Sequence, residues 1–361
     1  MVLKNSINNI RERDYSFDFI KIIATIFIIF YHYQQVLGIY FENGINFFNG
    51  KFYFGYVVEL FFVLSGLFMY SYIEKIQKGV TFPKFYLKRL GRLFPLLTVG
   101  AISYEILQVI YQHVYQSSWF GTTTTFWGTI ISAFGIQDGW ALPNPCVNNP
   151  TWYISVLMLC YVIFYFLVYI AKRLDLKVQY LFVFMIFLGM GINTYGINLP
   201  FLNASSCRGY YAFFFGLLLA EFLEKHDVGK VDAIISAIMI MVITLLIIFK
   251  YDFMALGINY IMTFIYYPAL ILLCRSKSVS KILNRKIIGK LGRISFDSFI
   301  WHVPLFLVMY ICIKVFNWNL KLDSYVIMIC YAAFCYIVGT ISYYIIERPT
   351  AKLVDKKLKE I

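Results

Sequence analysis

Of the four histidines in the chain, His32 has the surroundings best suited to moving a proton. It sits in a long apolar run that also carries Asp18 and Lys21. Asp18 and Lys21 are three residues apart, so on a helix they share a face and can pair. His32 follows Lys21 by eleven residues, close to three full turns and about 16 Å further along a helix. The two therefore fall on one stripe, with Tyr31, Tyr33 and Gln34 beside the histidine. Histidine titrates near neutral pH and can act as general base or proton relay. The bland alternative is a histidine satisfied by a neighbouring helix, with Lys21 reaching past Asp18 towards water.

A second group is basic. The segment from Phe85 to Pro95 holds Lys88, Arg89 and Arg92. Two arginines three apart on a helical turn make a fork for phosphate groups. Further polar groups are scattered among apolar residues. Glu59 stands just before Phe61-Phe62-Val63-Leu64-Ser65-Gly66, where Gly66 permits close helix packing and Ser65 can hydrogen-bond between helices. Glu105 is a candidate buried partner for one of these groups. His302 lies two residues before Pro304, which breaks the local backbone ladder and can turn carbonyls towards a cavity. Glu347 precedes Arg348-Pro349; it can pair with a cytoplasmic arginine, and Pro349 is expected to stop the helix.

These residues must be positioned by elements that suit a very apolar chain. Hydrophobic residues make up 60% and charged residues 14%, against roughly 45–50% and 25% in soluble domains. Mean hydropathy is +0.70. One soluble core of 361 residues cannot hide that much apolar surface, whereas a bilayer can solvate it. The expected fold is an all-α polytopic membrane protein, a single membrane domain over 1–361 with no appended soluble domain. Apolar runs of spanning length place about ten transmembrane helices at 17–40, 54–74, 94–115, 151–171, 178–196, 209–223, 231–249, 254–274, 296–318 and 324–346. No cleavable leader is visible, since the first run lacks a small-residue cleavage site.

Loop charges give the orientation. With the N-terminus inside, the cytoplasmic segments hold 27 of the 32 Lys and Arg residues, and the outside positions only Lys51, Arg208, Lys250, Lys314 and Lys321. An error of one helix would mix the two classes, so the split supports both the count and an arrangement with both termini cytoplasmic. The net charge of +13 therefore reflects topology, and a nucleic-acid partner is not expected. Seven cysteines include no CxxC pair, and no metal site is expected. Cys146 and Cys207 fall in outer loops, where a disulfide between them is one option. GxxxxGK[ST], HExxH and GxSxG are all absent. The residues alone leave two classes open. One is a carrier or flippase with a proton relay; the other is a membrane transferase using a phosphate-bearing cytoplasmic donor.

The order of motifs resembles the integral-membrane acyltransferase family 3, whose members O-acylate bacterial surface glycans. The pattern Arg13…Asp18-Phe-Ile-Lys21…His32 is similar to the family's opening signature. Phe61 to Gly66 is similar to its FFxxSG motif, and Arg89…Arg92…Pro95 to its cytoplasmic RxxRxxP segment. Asn149-Pro150-Thr151-Trp152-Tyr153 resembles the family's start of a later span. Arg208-Gly209 with Phe213 to Gly216 is a weaker match, and Leu291-Gly292…Ser295-Phe296…His302…Pro304 and Glu347-Arg348-Pro349 complete the order.

The resemblance implies ten core spans in the plasma membrane of a bacterium and no permanently bound cofactor. It implies acyl-CoA, most readily acetyl-CoA, as the cytoplasmic co-substrate. The acceptor would be a polysaccharide, exopolysaccharide or lipid-linked oligosaccharide. His32 would be catalytic, with Asp18 and Lys21 organising its helix. Arg89, Arg92, Lys88 and Ser65 would handle the donor. Glu59, Trp152, Tyr153, His302 and Glu347 are further candidates, Trp152 and Tyr153 as a wall for a sugar. Oligomeric state is left open, with a homodimer among the options. Two departures stand out. Lys21 replaces the family's usual arginine, which keeps the charge and loses the planar fork. Leu157 occupies a position where many members carry glutamate.

Overall fold

The computed structural model describes residues 15–42, 44–119, 126–140, 147–249 and 257–360. Backbone amides and carbonyls cannot find partners in hydrocarbon, so apolar runs of this length satisfy them internally as helices. In chain order these are α1 (Tyr15–Leu37), α2 (Phe54–Gln77, with short 3-10 turns near both ends), α3 (Phe82–Tyr115) and the short α4 (Phe126–Ala133). Then follow α5 (Trp152–Arg173), α6 (Val178–Tyr195), α7 (Ala204–Lys225), α8 (Lys230–Ile248) and α9 (Ile258–Arg275). The short α10 (Lys277–Leu283), α11 (Lys286–Phe316), α12 (Tyr325–Ser342) and α13 (Arg348–Glu360) complete the chain. Among the described residues there is no strand, and nine helical segments are long and apolar enough to cross a membrane. The protein is an all-α polytopic membrane protein.

The difference between nine and ten lies in α7, which covers the expected sixth span at full helical length but is not among those nine. It carries Arg208, Glu221, Glu224 and Lys225. Cys207, Tyr210, Tyr211, Phe213, Phe214 and Leu217 on it are all essentially inaccessible. A helix wrapped by protein meets little lipid, so its mean hydropathy is free to fall.

The chain forms two compact units: Met1–Tyr70 with Ala212–Ser295, and Ser71–Tyr211 with Phe296–Ile361. In the first, α1 packs on α2, α9 and α10, and α8 packs on α9. Here two glycine motifs prove to be one contact. A Cβ on Gly66 would stand 2.0 Å from the Phe213 carbonyl oxygen, and one on Gly216 would stand 2.1 Å from that of Val63. The backbones of α2 and α7 touch at this crossing, which only glycine allows. In the second unit α3 packs on α4, α5 and α13, and α5 on α6.

Two π turns share one cause. Met262–Tyr266 lies two residues before Pro268, and Tyr343–Glu347 two residues before Pro349. A proline ring clashes with the carbonyl four residues back, and a widened turn makes room for it. Pro349 therefore does not stop the last helix, contrary to expectation. The chain passes through the π turn into α13, and Thr350 Oγ1 donates back to the Ile346 and Glu347 carbonyls at 2.7 and 3.0 Å.

Candidate active site

The first unit holds His32, Asp18, Lys21, Glu59 and Ser65. α1 is unbroken from Tyr15 to Leu37, so the stripe from Asp18 through Lys21 to His32 is real. Asp18 is buried, and Lys21 Nζ lies 2.7 Å from its Oδ1. Lys21 also sits over the Phe68 ring at 5.7 Å. Gly292 backs this pair: a Cβ there would be 2.5 Å from that of Asp18. The glycine of Leu291-Gly292 is thus what lets α11 approach the aspartate. Glu59 is fully buried in the first turns of α2, and Ser65 is half-buried further along it.

His32 is half-buried, with Tyr31 edge-on to its ring at 5.2 Å. Its Nδ1 is 3.1 Å from the Ile28 carbonyl. A carbonyl only accepts, so Nδ1 carries the proton in the neutral ring and Nε2 is the basic nitrogen. Two residues on, Gln34 anchors the loop that follows α1. Its Nε2 donates to Asn46 Oδ1 at 2.9 Å, and its Oε1 accepts from the amides of Phe47 and Phe48. Asn46 closes the loop by accepting from the Phe41 amide and donating to the Phe41 carbonyl, both at 2.8 Å. The sequence shows Gln34 only as a polar residue in an apolar run; its loop partners depend on the fold. An apolar cavity of about 120 Å³ opens beside α1, between Ile23, Phe27, Phe54, Leu60, Met262 and Tyr266. Its lining suits hydrocarbon rather than a charged group.

The second unit holds Lys88, Arg89, Arg92, Trp152, Tyr153, His302 and Glu347. α3 starts at Phe82 with Pro83 in its first turn, a position where the missing amide hydrogen costs nothing. Lys88, Arg89 and Arg92 follow on the same unbroken helix. The Arg89 guanidinium lies 3.9 Å over the Tyr72 ring and 5.4 Å from that of Phe85, and Lys75 Nζ approaches the Tyr72 ring at 4.2 Å. Arg89 Nε and Nη2 are buried and have no hydrogen-bond acceptor. Arg92 is largely exposed, and its Nε is 3.4 Å from Glu347 Oε1, a carboxylate only 6% exposed. Lys75 and Tyr72 were not singled out in the sequence. A lysine and a tyrosine near the end of α2 are too common a pair to signal anything until Arg89 is placed over the ring.

Behind Glu347 is a carboxylate that sequence reasoning passed over. Asp297 is completely buried and faces Glu347 and the Ser342 hydroxyl. None of its oxygens, nor Glu347 Oε2 or Ser342 Oγ, has a hydrogen bond of good geometry. A lone aspartate in an apolar run was the available signal. α12 comes close to α11 here because a Cβ on Gly339 would be 2.5 Å from Ser298 Oγ.

His302 is fully buried, its Nδ1 on the Phe299 carbonyl and its own carbonyl accepting from the Tyr331 hydroxyl. Pro304 lies inside α11 and leaves the Ile300 carbonyl without its helical donor. That carbonyl does not open onto a cavity: Asn148 Nδ2 donates to it at 3.0 Å. Trp152 begins α5 with Arg208 over its ring at 4.9 Å, and Tyr153 is buried edge-on to Phe299. Glu105 is half-buried on α3 and Leu157 is buried in α5. Cys207 Sγ lies 3.1 Å from the Ala204 carbonyl; Cys146, Arg13 and Lys250 fall outside the described residues. Among the described residues no cluster of three His, Cys, Asp or Glu side chains is arranged to hold a metal ion.

Comparison with known proteins adds one finding. No curated protein and no solved structure matches the chain. The family model for the acyltransferase domain of acyltransferase family 3 matches residues 14–348, nearly the whole chain and every candidate residue named above. The protein is therefore a membrane acyltransferase belonging to acyltransferase family 3.

Proposed function

We propose that this acyltransferase moves an acetyl group from cytoplasmic acetyl-CoA to a hydroxyl of a surface polysaccharide or lipid-linked oligosaccharide in a bacterial plasma membrane, with both termini cytoplasmic. The observation that carries the donor assignment is Arg89, a guanidinium with two buried nitrogens that lack an acceptor. Buried donors left unmade are expensive, and phosphate oxygens are their natural acceptors. Lys75, Lys88 and Arg92 lie on the same stretch of the chain and add positive charge for a polyanion. The loop-charge asymmetry supports a cytoplasmic position for this stretch, the side where CoA is found.

His32 supplies the base. Nε2 takes the proton of the acceptor hydroxyl, and the oxygen attacks the thioester carbonyl. The carbon–sulfur bond breaks, an ester forms, and the proton passes to the departing CoA thiolate. The Ile28 carbonyl holds the ring in the tautomer this needs. Asp18 and Lys21 fix the inner part of the same helix through their ion pair.

The test is equilibrium binding of CoA to the purified protein. Arg89→Ala should weaken binding by about tenfold or more, and Arg89→Lys should not restore it, because lysine lacks the planar fork. CoA affinity unchanged in Arg89→Ala would contradict the assignment.

A further inference from the structure

The C-terminal segment meets the arginine-bearing turn of α3 at two points. Gly91 sits between Arg89 and Arg92, and a Cβ on it would stand 2.5 Å from both methyls of Val354 on α13. One residue along, Arg92 Nε faces Glu347, the last residue of the π turn. α13 has the pattern for this role. Its inward side carries Val354 and the buried Leu358, while Lys352, Asp355, Lys356 and Lys357 face out. The π turn matters because it carries the chain past Pro349 and on into α13, which lies along α3.

We propose that the segment Tyr343–Leu358 is the positioning clamp of the donor site: Val354 against Gly91 and Glu347 against Arg92 hold the Arg89–Arg92 turn in the orientation that receives the donor's phosphates. The inference rests on reading those arginines as phosphate ligands. Arginine has many rotamers, and an unheld guanidinium must be ordered at the moment of binding. Glu347 approaches Arg92 at Nε, and at 3.4 Å the contact is longer than a strong charged hydrogen bond. A guanidinium used this way still has both Nη groups to offer a phosphate. Val354 acts from the other side, where only the absence of a side chain at residue 91 permits contact. Glu347, Gly91 and Val354 are positioning residues, since none of them is assigned a contact with the donor.

The test measures CoA binding to the full-length protein in detergent or nanodiscs, with thermal midpoints taken in parallel. Gly91→Ala should push α13 away and raise the Kd for CoA about tenfold, and Val354→Ala in the same chain should bring it back to within about twofold. Glu347→Gln, which keeps the shape, should raise Kd by about as much without a comparable loss of stability. Glu347→Asp should recover part of the affinity. A merely structural role would make affinity follow the thermal midpoint and give no rescue by Val354→Ala. Should Gly91→Ala fail to fold, Glu347→Gln decides alone. Wild-type protein that binds no CoA overturns the donor reading and the clamp with it. Wild-type protein that binds CoA, with Gly91→Ala and Glu347→Gln binding it equally well, overturns the clamp and leaves the donor reading standing.

Discussion

Pro304 has no amide hydrogen, and the consequence is carried by a residue far away in sequence. Asn148, in left-handed backbone geometry ahead of α5, turns its amide onto the Ile300 carbonyl. Thr151 Oγ1 in turn donates to the Asn148 carbonyl at 2.8 Å, and Gln137 donates to Thr151 at 3.0 Å. Replacing Asn148 by Ala should leave the Ile300 carbonyl unsatisfied and cost about 1–3 kcal/mol, read as a lower thermal midpoint. An unchanged midpoint would mean that carbonyl has another donor. At this scale the sequence speaks clearly only of near neighbours. Asp18 and Lys21 are one turn apart on one helix, so their pairing follows from spacing. The Nδ1 bond of His32 to Ile28 is similarly local. Glu347 could be expected to meet a cytoplasmic arginine, but that the partner is Arg92 depends on which helices touch. Asp297 is not legible as a site residue because its partner, Glu347, is fifty residues away and meets it only when α11 and α12 pack.

Among the elements of the first unit, α2 and α7 cross with their backbones in contact. Gly66 and Gly216 each face a backbone carbonyl at a distance no Cβ tolerates. Gly66→Ala should force the helices apart and cost about 1–3 kcal/mol or more, as over-packing does, seen as a lower thermal midpoint in detergent. The same midpoint as wild type would show that the crossing yields freely. Phe61 to Gly66 was readable as a packing motif, and Phe213 to Gly216 stood out as a weak match. That they pack on each other was not readable, because the pairing joins segments well separated in the chain. Proline shows the opposite limit. Pro349 is an ordinary helix stop by local rules, yet a π turn carries the helix past it and so delivers α13 to α3. Widened turns leave no mark in hydropathy. Their common spacing before Pro268 and Pro349 is recognisable only once both are seen.

For the whole molecule, hydropathy was informative because lipid imposes a simple rule on every span. The rule weakens where protein replaces lipid, as at α7, where Tyr210, Tyr211, Phe213 and Phe214 are buried. Division of the chain into two units, with His32 in the first and Arg89 and Arg92 in the second, has no counterpart in composition. The proposed reaction depends on His32 removing the acceptor proton. The direct measurement is the O-acetyl content of the surface glycan, by mass, in cells lacking the native gene and supplied with wild-type or His32→Ala protein at matched membrane abundance. Loss of a general base costs about 10²–10⁴ in rate, so His32→Ala should leave the glycan without detectable acetyl while wild type restores it. Acetylation by His32→Ala equal to wild type would contradict that role for His32.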